Sequence, residues 1–207
     1  MIKYYAKQAL LPVIYLIFMA ITAFGILAIG DDLLWLKIIL GVLNIALYCV
    51  IVFIASYNEG KNAVKVRSAN DLERRIIIKT GEERPLKLNE EYKPYKGFIV
   101  GLFAVIPLLF FLALHTLLHF TAGYDGLGAI ISLVYLLFFE FFIMKTGVSD
   151  ADAAVTTLPW YVFYGTLIAV PVIILVSGIG YIMGAKVIIR QQEMIKAKQR
   201  EIYGDRS

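Results

Sequence analysis

A chain of 207 residues that is 60% hydrophobic and only 17% charged, with a mean hydropathy of +0.76, departs from soluble domains, which carry about 25% charged residues. Its net charge of +4 does not point to nucleic acid, because Lys and Arg flank apolar runs, where positive charge orients a membrane protein. A single cysteine, Cys49, excludes an internal disulfide and sits in an apolar run as a small hydrophobe.

The first apolar run spans 9–29 behind Lys3 and Lys7, and "AIG" at its end imitates a signal cleavage site. The run exceeds the roughly 7–15 residues of a signal h-region, so an uncleaved transmembrane helix is expected. Further runs follow at 33–56, 97–121, 126–145 and 160–184. Each reaches about 30 Å as a helix, and each must be helical, because lipid offers no partner to free backbone groups. Tyr4, Tyr5, Trp35, Tyr92, Tyr95, Trp160 and Tyr161 mark their ends as interfacial aromatics do.

Between the second and third runs, residues 58–96 hold ten Lys/Arg and seven Asp/Glu. Ala63, Val66, Ala69, Leu72 and Ile76 recur at helical spacing, so the second helix is expected to run on as an amphipathic helix that stops at Gly81. Residues 82–96 return the chain to the membrane, and the insertion is too short for a core of its own. The tail, 185–207, continues the last helix. Its Ile188, Ile195 and Ile202 are seven apart, and it should pack on the 61–79 helix or rest on lipid headgroups.

The expected fold is therefore all-α: a polytopic membrane protein with five apolar helical segments, a short cytoplasmic helical insertion and a basic C-terminal helix. It divides into a hairpin (1–57), the polar insertion (58–96), a three-segment membrane region (97–184) and the tail (185–207). The positive-inside rule puts the N-terminus and 58–96 in the cytoplasm of a bacterial-type plasma membrane. The back half conflicts with it. Five crossings would place the tail, with Lys186, Arg190, Lys196, Lys198, Arg200 and Arg206, outside. Four crossings with a re-entrant third segment turning at Pro107 would bring it back. Both alternatives stand on sequence.

Candidate chemistry is sparse. Lys37, Asn44 and Glu140 are polar residues within apolar runs; a carboxylate at mid-membrane costs about 2.5–3.5 kcal/mol. Lys37 and Glu140 pair only if the fourth segment runs outward. Pro107 and Pro171 are candidate helix breaks, and Gly101-x5-Pro107 echoes Gly165-x5-Pro171, as in transporter repeats. His115 and His119 share a helix face at metal-ligand spacing, but no further ligand completes a site. Gly97-x3-Gly101 and Gly180-x3-Gly184 predict close helix contacts without naming partners. No phosphate loop, nucleophile elbow or CxxC appears, so no enzyme and no cofactor is expected. The pattern favours a transport-related protein, permease-like or the membrane subunit of a complex with a partner ATPase. The alternative is a scaffold or regulatory subunit presenting its basic segments to a partner protein or to anionic lipid.

Overall fold

The computed structural model describes residues 2–29, 33–82, 85–123 and 160–203. They form four long helices: α1 (Ile2–Leu27), α2 (Leu34–Thr80), α3 (Lys96–Ala122) and α4 (Ala169–Tyr203). A single 3₁₀ turn, Leu88–Glu90, precedes α3, and a 3₁₀ stretch, Trp160–Ile168, leads into α4. No strand occurs among the described residues. All four helices are long and apolar enough to cross a membrane, compatible with a multi-pass membrane protein. The fourth apolar run, 126–145, and with it Glu140, lies outside the described residues.

Each helix buries one stripe. In α1 it is Tyr5, Ala9, Pro12, Leu16, Ala20 and Ala23, and in α2 Lys37, Gly41, Asn44, Tyr48 and Val52. These spacings of three and four put every member on one face. Ala9, Ala20, Ala23 and Gly41 let the backbones approach within these stripes, and helices in lipid gain from such close van der Waals packing. The remaining apolar side chains of the bundle, Phe18, Val42, Phe110 and Leu175 among them, point outward, where lipid would cover them.

α3 corrects one expectation. Its buried stripe runs Gly97, Gly101, Ala104, Leu108, Leu112 and His115 without a break. The segment is one helix through Pro107 and does not re-enter. Proline removes a single backbone hydrogen bond, which a membrane helix tolerates when neighbours cover it; re-entry would expose several. The two prolines are not equivalent either. Pro107 sits inside α3, whereas Pro171 lies in the first turn of α4, just after the 3₁₀ stretch gives way to α-helix. The echo between the two segments therefore does not mark a structural repeat.

Helix directions settle the side on which the tail leaves. α1 and α2 are antiparallel: Tyr4 meets Glu59, and Asn44 meets Met19. α3 is antiparallel to α4, because Gly97 lies on Tyr181 and Gly101 on Ile174. α2 and α4 are parallel, with contacts Phe53–Gly180, Tyr57–Gly184 and Ser68–Gln192. The α4 tail therefore emerges beside the α2 extension, at the end that also holds the N-terminus. That corrects the five-crossing alternative, which sends the tail to the opposite face. Of the 20 Lys/Arg, all but Lys37 and Lys145 belong to the N-terminal start, the 58–96 insertion or the tail, and the helices gather those three segments at one end.

Candidate functional site

The three basic segments converge where four helices meet a ring of tyrosines. Tyr4 Oη and Gln8 Nε2 of α1 both donate to Glu59 Oε1 of α2, at 2.7 and 3.1 Å. Tyr92 stacks on Tyr181 with ring centroids 5.6 Å apart, and Lys61 Nζ lies 5.1 Å from the Tyr57 ring centre. Aromatic rings with polar tips, as in this collar, favour the membrane–water boundary. Burial pushes the Tyr92 phenol up from its ordinary pKa, and nearby Arg67 opposes the shift.

Lys96 is the fastener of the collar. It is only 3% exposed. Its Nζ donates to the backbone oxygens of Asn89, at 2.6 Å, and Glu91, and sits 5.3 Å from the centre of the Tyr4 ring. An ammonium has three donors and no acceptor, so two carbonyls and a π-face satisfy it in place of water. Below it, the return segment is strapped along α2. Glu91 Oε1 accepts from Asn70 Nδ2 at 2.8 Å and from Arg74 Nη2 at 2.7 Å, while Asn70 Oδ1 accepts the Lys87 N–H and Ala63 O accepts the Tyr92 N–H.

Past the collar, α2 and α4 form a two-helix stem. Val64, Ala185 and Ile188 bury one another, and Gln192 Nε2 donates to Ser68 Oγ at 2.9 Å. Beyond that bond a cleft of about 380 Å³ opens, lined by Leu72 and Arg75 of α2 and by Ile195, Lys196 and Gln199 of α4. α2 ends as expected at Gly81, whose φ of +73° caps the helix in the left-handed region that glycine enters freely.

The residues singled out by sequence are scattered. Lys37 and Asn44 share the buried stripe of α2, with Lys37 only 4% exposed, about 10 Å apart along the axis. Asn44 is occupied: its Oδ1 accepts from Thr22 Oγ1 at 2.7 Å, and its Nδ2 donates to Met19 O at 3.1 Å. His115 is buried in α3 and His119 is partly exposed one turn later. No group of three His, Cys, Asp or Glu side chains suited to a metal forms among the described residues. Glu59 and Lys96 escaped the sequence reading because each stands among other charges where an apolar run meets the polar insertion, Glu59 within α2 and Lys96 at the first residue of α3. The only hint was the placement of "NEGK" where the second apolar run turns basic.

Asn44→Leu should cost about 0.6–1.7 kcal/mol, the measured span for polar contacts between membrane helices. The loss stays small because Thr22 Oγ1 keeps Met19 O as an acceptor 2.7 Å away. Thermal unfolding in detergent would read it; a larger loss would mean that Asn44 holds more than α1.

No protein-family model matches the chain, and neither a curated protein nor a solved structure does.

Proposed function

We propose that this protein is a multi-pass membrane scaffold whose basic face is cytoplasmic and whose α2–α4 stem is a docking element for an acidic partner in a larger membrane assembly. The observation that carries this reading is the parallel pairing of α2 and α4. Two helices leave the same face locked together and carry eleven of the 20 Lys and Arg beyond the apolar bundle. The stem beyond Gly60 reaches about 30 Å and is braced by the strap of residues 85–95, so a partner meets a preformed surface and little ordering entropy is lost on binding. The cytoplasmic assignment rests on the gathering of Lys and Arg at that end.

The permease reading draws less support. Asn44 is spent on an interhelical bridge, and Pro107 leaves α3 unbroken. A membrane subunit within a transporter complex remains compatible with the scaffold role.

Purification in mild detergent tests the proposal. A stoichiometric partner should accompany the full chain and be lost when the chain is ended after Gln192, which keeps the Ser68 bond but removes the distal stem. A chain that leaves native membranes alone, with no partner to lose, would overturn the scaffold reading.

A further inference from the structure

We infer that the cleft between the distal halves of α2 and α4 seats an amphipathic, acidic helix of a partner protein; this rests on the scaffold reading and names the chemistry of its partner. On α4, Ile188, Gln192, Ile195, Gln199 and Ile202 follow one another at spacings of four and three, a single helix face. The first two touch α2 through Val64 and Ser68. The next two turn the same way, toward Leu72 and Arg75, and line the cleft with them. Leu72 and Ile195 nevertheless remain 60% and 57% exposed. Two large apolar side chains on facing stripes of a packed helix pair normally cover each other. Here both line one open groove of about 380 Å³, a volume in the range of roughly 300–1,000 Å³ typical of ligand clefts.

Lipid does not account for this surface. α2 is unbroken from the bundle into the stem, and Leu72 lies twelve residues beyond Gly60, about 18 Å further along the axis. The headgroup zone on one side of a bilayer is only about 5–8 Å deep. Charge selects among proteins. Arg75 and Lys196 rim the cleft, and Arg67 lines the adjoining cavity across the Ser68–Gln192 bond. The one carboxylate there, Asp71, accepts from Arg74 at 3.0 Å. A second copy of this stem would bring like charges together, which opposes docking. A helix with leucines at i, i+4 and i+7 between glutamates fits the apolar floor and the cationic rim at once.

The full chain in phosphatidylcholine nanodiscs, titrated with a labelled synthetic helix of that pattern, tests the inference. Binding should be micromolar or tighter. Leu72→Ser or Ile195→Ser should weaken it at least about tenfold, as loss of a central anchor does, with thermal stability unchanged because both positions are exposed. Arg75→Gln with Lys196→Gln should weaken it several-fold and flatten its salt dependence. Met194→Ser, exposed but about 100° around α4 from Ile195, should have no effect. The inference is overturned if the helix fails to bind, if binding ignores Ile195→Ser, or if a version with lysines for glutamates binds equally well. Displacement by phosphatidylserine-rich vesicles would make the cleft a lipid seat, and self-association lost in Ile195→Ser would make it a homodimer seat; either also overturns it. A native partner retained by Ile195→Ser but lost on truncation after Gln192 would overturn the cleft while leaving the scaffold reading intact, whereas absence of any partner would remove the scaffold reading itself.

Discussion

Gly184→Ala should destabilise the protein by about 1–3 kcal/mol, the usual cost of overpacking a tight contact, and Gly60→Ala should do the same. A Cβ on Gly184 would stand 1.9 Å from Tyr57 O, and one on Gly60 would stand 2.0 Å from Tyr181 O. In both cases the obstacle is backbone, which cannot swing aside as a side chain can. The two substitutions press on one crossing from opposite sides, so α2 and α4 would have to separate and the stem would lose its base. Gly25 supplies the control. A Cβ there meets nothing within 4 Å, and replacing a helical glycine by alanine is worth about 0.5–1 kcal/mol in favour of the folded state. Thermal unfolding in detergent should therefore move in opposite directions for Gly184→Ala and Gly25→Ala. Equal, mild shifts would show that the helices do not touch at Gly184.

Lys96→Met should cost about 2–4 kcal/mol, because hydrogen bonds to a charged group each contribute about 1.5–3 kcal/mol and two carbonyls lose their donor. The methionine fills the space of the stem of lysine but offers no donor to Asn89 O or Glu91 O and no cation to the Tyr4 ring. The effect should be local as well as global. With the strap released from the collar, trypsin should cut after Lys87 faster than in the wild type, while the Lys93–Pro94 bond resists it in both. Lys96→Arg should not rescue fully, since a planar fork does not reproduce the reach of an ammonium to two carbonyls and a ring face. Unchanged proteolysis in Lys96→Met would mean that the Asn70–Glu91–Arg74 contacts hold the strap unaided.

Length and hydropathy in the sequence were enough to predict membrane-length helices, because a run of about 20 apolar residues has few other fates. The continuation of α2 and its stop at Gly81 were legible for a local reason: helical spacing and a left-handed cap are written in consecutive residues. The stripe through Pro107 is present in the same way, at 97, 101, 104, 108, 112 and 115, but a proline in an apolar run is compatible with a kinked helix and with a turn, so both alternatives stayed open on sequence. The Gly-x3-Gly pairs announced close approach, but not that Gly180 and Gly184 meet α2 while Gly97 and Gly101 meet α4.

What tertiary structure alone decided is everything that depends on which helix lies beside which. Counting hydrophobic runs sent the tail to one side and its charges sent it to the other; the parallel contact of α2 with α4 resolves this, and direction of packing has no signature in either run taken singly. Glu59 finds its donors on α1, 55 and 51 residues away, and Lys96 finds the ring of Tyr4. A lone charge in a sequence has no marked partner, because Coulomb and hydrogen-bond energies depend on distances that only the folded chain sets. The cleft follows the same logic. Ile195 and Leu72 each read as ordinary members of an amphipathic stripe, and only the packing of two helices shows that they line one groove.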